Sequence, residues 1–385
     1  MIEKEKEYWF AFEPYVHINR KRDAALIYNT LDAKYIYVRE QEILLFLDDI
    51  LEKKNNGVVK VKNADLGKKY LLDFIKKVRE FYLGDLYDCT VSQGKPIQFY
   101  PIMNLQDDVN RIKRLDAKHI GDKMYSYLYQ LTIDVGELID KSLYSFLDKI
   151  YTQTRYSNLR EFCIIPHNSI QIGQIQDWAK DKEKSFGHFV WILNTKLASI
   201  FTNILKESIF VVIEDIKDEW NEINVHKVKW IIKITSEVEL KFITEWIDKN
   251  QIENYNIRPV YNGKNLDFFE KHVFMDEEDI LAKPISMQSI MRNQVLNVND
   301  FGKLHINAEG YVFTNKLFPA IGNIHSSSLR LLIHKEMTEG QAWLRTRSKE
   351  PCSECVFQWL CPSLSEHEIL IGKEDLCRLK NIQKK

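Results

Sequence analysis

Four of the six cysteines fall within the last 34 residues, as Cys352-x2-Cys355-x5-Cys361 followed by Cys377. Two thiols with two residues between them grip one metal from a tight turn, and two more distant thiolates complete the set. All-thiolate Zn²⁺ and a [4Fe–4S] cubane both take four such ligands, and the spacing does not choose between them. In a reducing compartment, clustered thiols read as metal ligands sooner than as disulfides. The remaining cysteines, Cys89 and Cys163, have no partner nearby in sequence, and Cys163 reads as a packed core thiol. Glu366-His367-Glu368 reads as an exposed polar tail and the acidic run Asp276-Glu277-Glu278-Asp279 as a solvated loop. Tyr311, Phe313, Phe357 and Trp359 read as packing residues. The chain carries no phosphate-binding loop, no Gly-x-Ser-x-Gly and no His-Glu-x-x-His.

The elements that must position these thiols belong to a chain of 385 residues, long enough for two or three domains. Lys plus Arg is 54 and Asp plus Glu is 55, a net charge of −1, so bulk charge gives no field for nucleic acid or an anionic membrane. With 45% hydrophobic and 28% charged residues the composition is that of a globular protein. The segment Met1 to Glu7 lacks the apolar core of a signal peptide, and no apolar run approaches the ~20 residues of a membrane span. The expectation is a soluble, cytoplasmic protein with no nucleic-acid or membrane partner.

Three short strands are expected at Tyr15–Ile18, Ala24–Tyr28 and Tyr35–Val38, followed by a helix over 42–53, an extended segment at 58–62 and a helix over 70–83. This predicts a small winged-helix-like module over residues 1–95. From about 125 to 275 six apolar runs, 131–135, 162–165, 189–193, 209–213, 230–234 and 256–261, alternate with helical stretches such as 237–250. Such alternation implies a parallel sheet covered by helices on its outer face, and six units make a partial barrel. A hairpin is expected over 304–313 and a helix over 328–337, leading into the cysteine-bearing tail.

The tail Cys352-Ser353-Glu354-Cys355-Val356-Phe357-Gln358-Trp359-Leu360-Cys361-Pro362, with 306–313 and Ile321-Gly322-Asn323-Ile324 upstream, resembles the C-terminal SPASM domain of radical SAM peptide-modifying enzymes. That resemblance implies two auxiliary [4Fe–4S] clusters, of which Cys352, Cys355, Cys361 and Cys377 match the ligands of the second. Those of the first are replaced by Asn315, Ser365 and Asn299, so one cluster is expected, with zinc as the alternative. The catalytic Cys-x3-Cys-x2-Cys of radical SAM enzymes has no counterpart: the matching loop is Gly136-Glu137-Leu138-Ile139-Asp140-Lys141-Ser142-Leu143, and no Gly-Gly pair occurs anywhere. S-adenosylmethionine binding is therefore not expected. Together these features resemble a pseudo-radical-SAM protein of the kind found in Bacteroidales beside peptides with double-glycine leaders. The implied fold is α/β: a degenerate partial (β/α)6 radical-SAM-like barrel (96–295), an N-terminal winged-helix-like module (1–95) and a SPASM-like cysteine domain (296–385). Residues 1–95 are also similar to peptide-recognition elements, which add a leader peptide as a strand to a sheet edge, here Tyr35–Val38 beside the helix 70–83; a plain structural winged helix is the other reading. The implied role is a non-catalytic partner in peptide maturation, binding a precursor peptide with a double-glycine leader or a radical SAM partner enzyme. A zinc-stabilised binding protein, or an enzyme using its single cluster, are the alternatives.

Overall fold

Seven strands of one large sheet run parallel, which requires a crossover between each consecutive pair. The computed structural model describes residues 6–379, apart from 56, 92–93, 97, 99–125, 155–156, 158, 181, 183–187, 217–222 and 224–226. Strands β7 (Gln130–Asp134), β8 (Glu161–Ile165), β9 (His188–Asn194), β10 (Ser208–Ile213), β11 (Val228–Ile234) and β12 (Tyr255–Pro259) are each added beside the last, in chain order. Crossovers of one hand in an unreversed order put all their helices on one face. Those helices are α4 (Asp140–Thr154), α5 (Ser169–Lys180), α6 (Thr195–Phe201), α7 (Glu237–Asn250) and, after β12, α8 (Leu266–His272). Leu131, Ile133, Phe162, Ile164, Trp191 and Trp230 from that face form one core with Leu143, Leu147, Ile172, Trp178 and Ile243 from the helices.

The other face differs in kind, because side chains alternate along each strand. It carries Gln130, Thr132 and Asp134 of β7, register-matched to Glu161 and Cys163 of β8. Farther along it come His188 and Val190, then Lys229, Ile231 and Lys233, then Asn256 and Arg258. Thr132 and Cys163 are nonetheless buried.

The sheet does not end at the sixth strand. Following α9 (Glu277–Leu281) and α10 (Met287–Val295), β13 (Lys303–Ile306) pairs parallel with β7, Lys303 opposite Gln130 and Ile306 opposite Ile133. Then β14 (Tyr311–Phe313) and β15 (Gly322–Asn323) extend it antiparallel, giving nine strands in the order β12-β11-β10-β9-β8-β7-β13-β14-β15. The hairpin expected from the sequence is thus a continuation of the large sheet. The helix α11 (Leu329–Glu339) packs Leu329, Leu332 and Ile333 onto the same core.

The N-terminal part contains the expected three-strand meander and adds a second sheet that the sequence reading did not foresee. It holds two three-stranded sheets, β2-β3-β4 and β5-β1-β6, from β1 (Glu7–Phe12), β2 (Val16–Lys21), β3 (Ala24–Asn29), β4 (Tyr35–Val38), β5 (Val58–Lys62) and β6 (Gly84–Asp88). The unforeseen β1 is Glu-Tyr-Trp-Phe-Ala-Phe, an aromatic run without alternation, and it is the central strand of its sheet. Helices α1 (Gln41–Leu51) and α3 (Lys69–Glu80), the latter preceded by the single turn α2 (Asn63–Leu66), bury Leu44, Leu47, Phe74 and Val78 against Phe10, Ile27 and Ile36. The sheet β2-β3-β4 is covered on both faces, since Leu26, Tyr28, Tyr35 and Tyr37 pack on the cysteine tail.

The loop between β7 and α4 is held by one side chain that sequence reading passed over. Gln171 is fully buried; its amide N–H groups donate to Gly136 O at 2.8 Å and Leu138 O at 2.9 Å. Its Oε1 accepts from His167 N at 2.7 Å and Asn168 N at 3.3 Å. All the hydrogen-bonding capacity of one amide is spent on two loops. Gly136 itself has φ +50°, and a Cβ there would meet the Ala308 methyl at 2.8 Å. Replacing Gln171 by Leu leaves four backbone groups without their partner, so the expected loss is on the order of 3 kcal/mol in urea unfolding. A loss below about 0.5 kcal/mol would show that these loops need no such clamp.

Candidate metal centre

Three of the four tail cysteines sit in one short irregular stretch. Cys352 opens a 3₁₀ turn over Cys352–Glu354, and Cys355 N donates back to Cys352 O at 3.1 Å. A further turn, with Cys361 N donating to Phe357 O at 3.0 Å, brings the third cysteine round. Cys377 arrives from the C-terminal side, held by a parallel bridge to Met275: Met275 N donates to Leu376 O and Arg378 N to Met275 O. Cys352, Cys355 and Cys361 are buried, and Cys377 is half-buried.

The four thiols share one electrostatic neighbourhood. Burial pushes the Cys361 thiol far up, and the charges of Cys355, Cys352 and Cys377 all add to the effect. Cys355 is pushed up to about 11, first by burial and then by Cys352 and Cys377, against a hydrogen bond from the Phe357 backbone. Cys352 is raised by burial while the adjacent Arg347 guanidinium, 3.9 Å from its sulfur, pulls the other way. Among the described residues, no three Cys, His, Asp or Glu side chains stand together as a ready ligand set for one ion. The donor chemistry does fit an all-thiolate centre. Three buried thiols and a half-buried fourth lie within electrostatic reach of one another, of the buried Arg347 guanidinium and of the Lys21 ammonium, cations that would offset the charge of deprotonated thiols.

Sequence reading missed Arg347, which has no motif of its own. It is buried, donating to Glu368 Oε1 at 2.8 Å, Pro362 O at 2.7 Å and Glu374 O at 3.0 Å. Its partner corrects the exposed-tail reading of Glu366-His367-Glu368. Glu368 is 4% exposed and also accepts from Ser365 N, and His367 packs on the Phe269 ring. The acidic run is likewise no solvated loop: Asp276 and Asp279 form the capping box that starts α9. Cys163 is fully buried on β8, pushed up to about 11 by burial, and Cys89 lies beside β1.

The three positions that the resemblance assigns to a first cluster are tied to one another's sequence neighbours. Asn299 Nδ2 donates to Ser363 O and Leu364 O, each at 3.1 Å. Asn315 Nδ2 donates to Asp300 Oδ1 at 3.0 Å, and Ser365 caps α12 (Glu366–Ile371). Their polar groups are spent on neighbouring backbone and on the carboxylates of Asp300 and Glu368.

The N-terminal sheet packs over the loop that carries Cys355. Asn19 Nδ2 donates to Val356 O at 2.7 Å and Cys355 O at 3.3 Å, Lys21 Nζ to Gln358 Oε1 at 2.5 Å, and Tyr35 stacks edge-on with Phe357. Tyr28 OH accepts from Ile285 N at 2.9 Å, and Tyr35 OH donates to Glu277.

A pH signature follows from the raised thiols. Below the ordinary value of 9.0 they are protonated in both folded and unfolded chains, so their contribution to stability is fully present. Above it the unfolded thiols ionise while Cys355 waits until about 11, so metal-free protein loses up to about 1.4 kcal/mol per pH unit per thiol. Metal-loaded protein, its thiols already deprotonated, should lose its ion as pH falls instead. Thermal midpoints of both forms from pH 7 to 11 test this; equal alkaline sensitivity would argue against a metal held by these sulfurs. No family model and no curated protein matches the chain, so its functional reading rests on its own residues.

Proposed function

We propose that this chain is a non-catalytic, pseudo-radical-SAM protein with a SPASM-like tail. In this reading it binds one auxiliary [4Fe–4S] cluster through Cys352, Cys355, Cys361 and Cys377 and serves the maturation of a peptide with a double-glycine leader. The observation that carries the reading is that these four thiols, from two separate segments, lie within electrostatic reach of one another, while the loop after β7 offers none. The strand order supports a degenerate partial barrel: six strands are added on one side with the described crossover helices on one face. Arg258 on β12 acts electrostatically on Lys303 and His305 of β13, which is the expected result if a curled sheet brings its distant strands together. The convergence of Asn299, Asn315 and Ser365 supports loss of the first cluster from a site whose framework persists.

A cubane saturated by four thiolates supplies electron transfer or structural strength, with no iron open to substrate. The residues around it do the rest: Arg347 and Lys21 offset negative charge, and the Asn19 amide fixes the backbone of the Cys355 loop. The leader would add to β4, whose outer edge pairs with no strand among the described residues. Ile36 and Val38 of β4 share a core with Leu71, Phe74 and Val78 of α3.

Anaerobic purification with iron, sulfide and zinc analysis tests the centre. Roughly four irons per chain are expected, with loss of most of the metal on replacing any one of the four cysteines by Ser and no loss in Cys163→Ala. Zinc in place of iron would select the zinc-stabilised alternative, and an unchanged metal content in Cys361→Ser would remove the assignment.

The peptide role has its own test, on the full chain because β2-β3-β4 shares its apolar face with the tail. A double-glycine leader should bind with a Kd of about 1 μM or tighter, and a proline within Tyr35–Val38 should weaken it. A scrambled leader that binds equally well would reduce the module to a structural one.

A further inference from the structure

On the sheet face away from the helices, β7, β13 and the segment after β14 enclose a cavity of about 270 Å³. Thr132 and Asp134 come from β7, His305 and Asn307 from β13 and its end, Phe313 and Lys316 from β14 and beyond. It lies at the carboxyl ends of parallel strands, where open α/β sheets place their ligands. The charges in its lining are unevenly committed. Asp134 Oδ1 already accepts from Gly136 N at 3.1 Å and His167 Nε2 at 2.8 Å, so the one carboxylate serves the loop. Lys316, exposed at the rim, acts on His305, and so do Lys303 and Arg258. The His305 ring is held neutral, with its ordinary value pulled down to about 4 by burial and then by those cations, and its buried Nδ1 has no hydrogen-bond partner. Asn307 spends its Oδ1 on Tyr311 N at 2.8 Å, which leaves the amide N–H₂ as its available group. Ile306 and Phe313 supply an apolar wall.

From this lining we infer that the cavity binds a carboxylate on a short apolar stem, its charge met by Lys316 and its oxygens by Asn307. A phosphate fits worse: the lining has no helix N-terminus or glycine loop to supply converging N–H groups, and a dianion would face Asp134 at close quarters. The carboxylate has two sources, a free small acid or the acidic side chain of a peptide laid along the sheet. The inference is independent of the metal reading, since no cysteine of the tail lines the cavity.

Isothermal titration of the full chain separates these sources, with glutarate in one arm and an eight-residue peptide containing a single Glu in the other; inorganic phosphate is the control. Saturable binding with a Kd of about 1 mM or tighter in either arm is expected, and the stronger arm names the source. Lys316→Gln, at an exposed position, should keep the thermal midpoint and weaken binding about fivefold. Asp134→Asn retains the acceptor for Gly136 and removes a repulsive charge, so it should tighten binding. Absence of saturable binding in both arms, undiminished binding by Lys316→Gln, or phosphate binding as tight as carboxylate would each overturn the proposal.

Discussion

The parallel pairing of β13 with β7 is the constraint on which the second half of the molecule depends. It joins segments about 170 residues apart through a four-residue register, Lys303 to Ile306 against Gln130 to Ile133. The junction is narrow: Tyr129 N and Gln130 N both donate to Gly302 O, and Gly302 has φ +76°. A Cβ there would lie 2.5 Å from Tyr127 O, so only glycine fits. Once this strand is in place, β14 and β15 follow by hairpin, α11 lands on the common core, and His305 takes its position beside Thr132. The tail thus hangs from a strand inserted into the sheet.

Beyond that strand, the chain treats two polar neighbourhoods in opposite ways. Around Asn299, Asn315 and Ser365, short amides and a hydroxyl close the site with internal hydrogen bonds. Around Cys361, the thiols of Cys352, Cys355 and Cys361 are buried where ionisation is disfavoured, with the Arg347–Glu368 pair packed beside them. A buried ion pair is weak support for stability in its own right, because desolvation offsets much of the attraction. Its place beside the sulfurs, with Arg347 3.9 Å from Cys352 Sγ, suits the proposed centre, in which deprotonated cysteines would carry charge.

Strand and helix identities were largely legible. Apolar runs such as Ile209–Ile213 and the 3.6-residue stripe of Glu237–Asn250 declare themselves, and both lie where the periodicity puts them. The spacing Cys352-x2-Cys355-x5-Cys361 is a local pattern of the same kind. What stayed hidden is non-local. Nothing in Tyr8-Trp9-Phe10 says that it pairs with both Val59-Lys60-Val61 and Leu86-Tyr87-Asp88. Gln171, Arg347 and Glu368 are polar residues whose burial depends on partners 20 to 35 positions away, so pattern reading assigns them to the surface. Charge and polarity forecast exposure only until a partner removes the cost of burial.

The N-terminal sheet β2-β3-β4 has one apolar face filled by its own helices and the other by the cysteine tail. That arrangement bears on biosynthesis. Leu26, Tyr28, Tyr35 and Tyr37 leave the ribosome more than 300 residues before Phe357 and Leu360 do. At roughly 5–20 residues per second the delay is about 15–70 s, far longer than a small sheet needs to form. During that interval the nascent chain presents a half-finished surface of one leucine and three tyrosines, open to any chaperone that reads apolar strands. A segment made more than 300 residues later is the lid for this sheet.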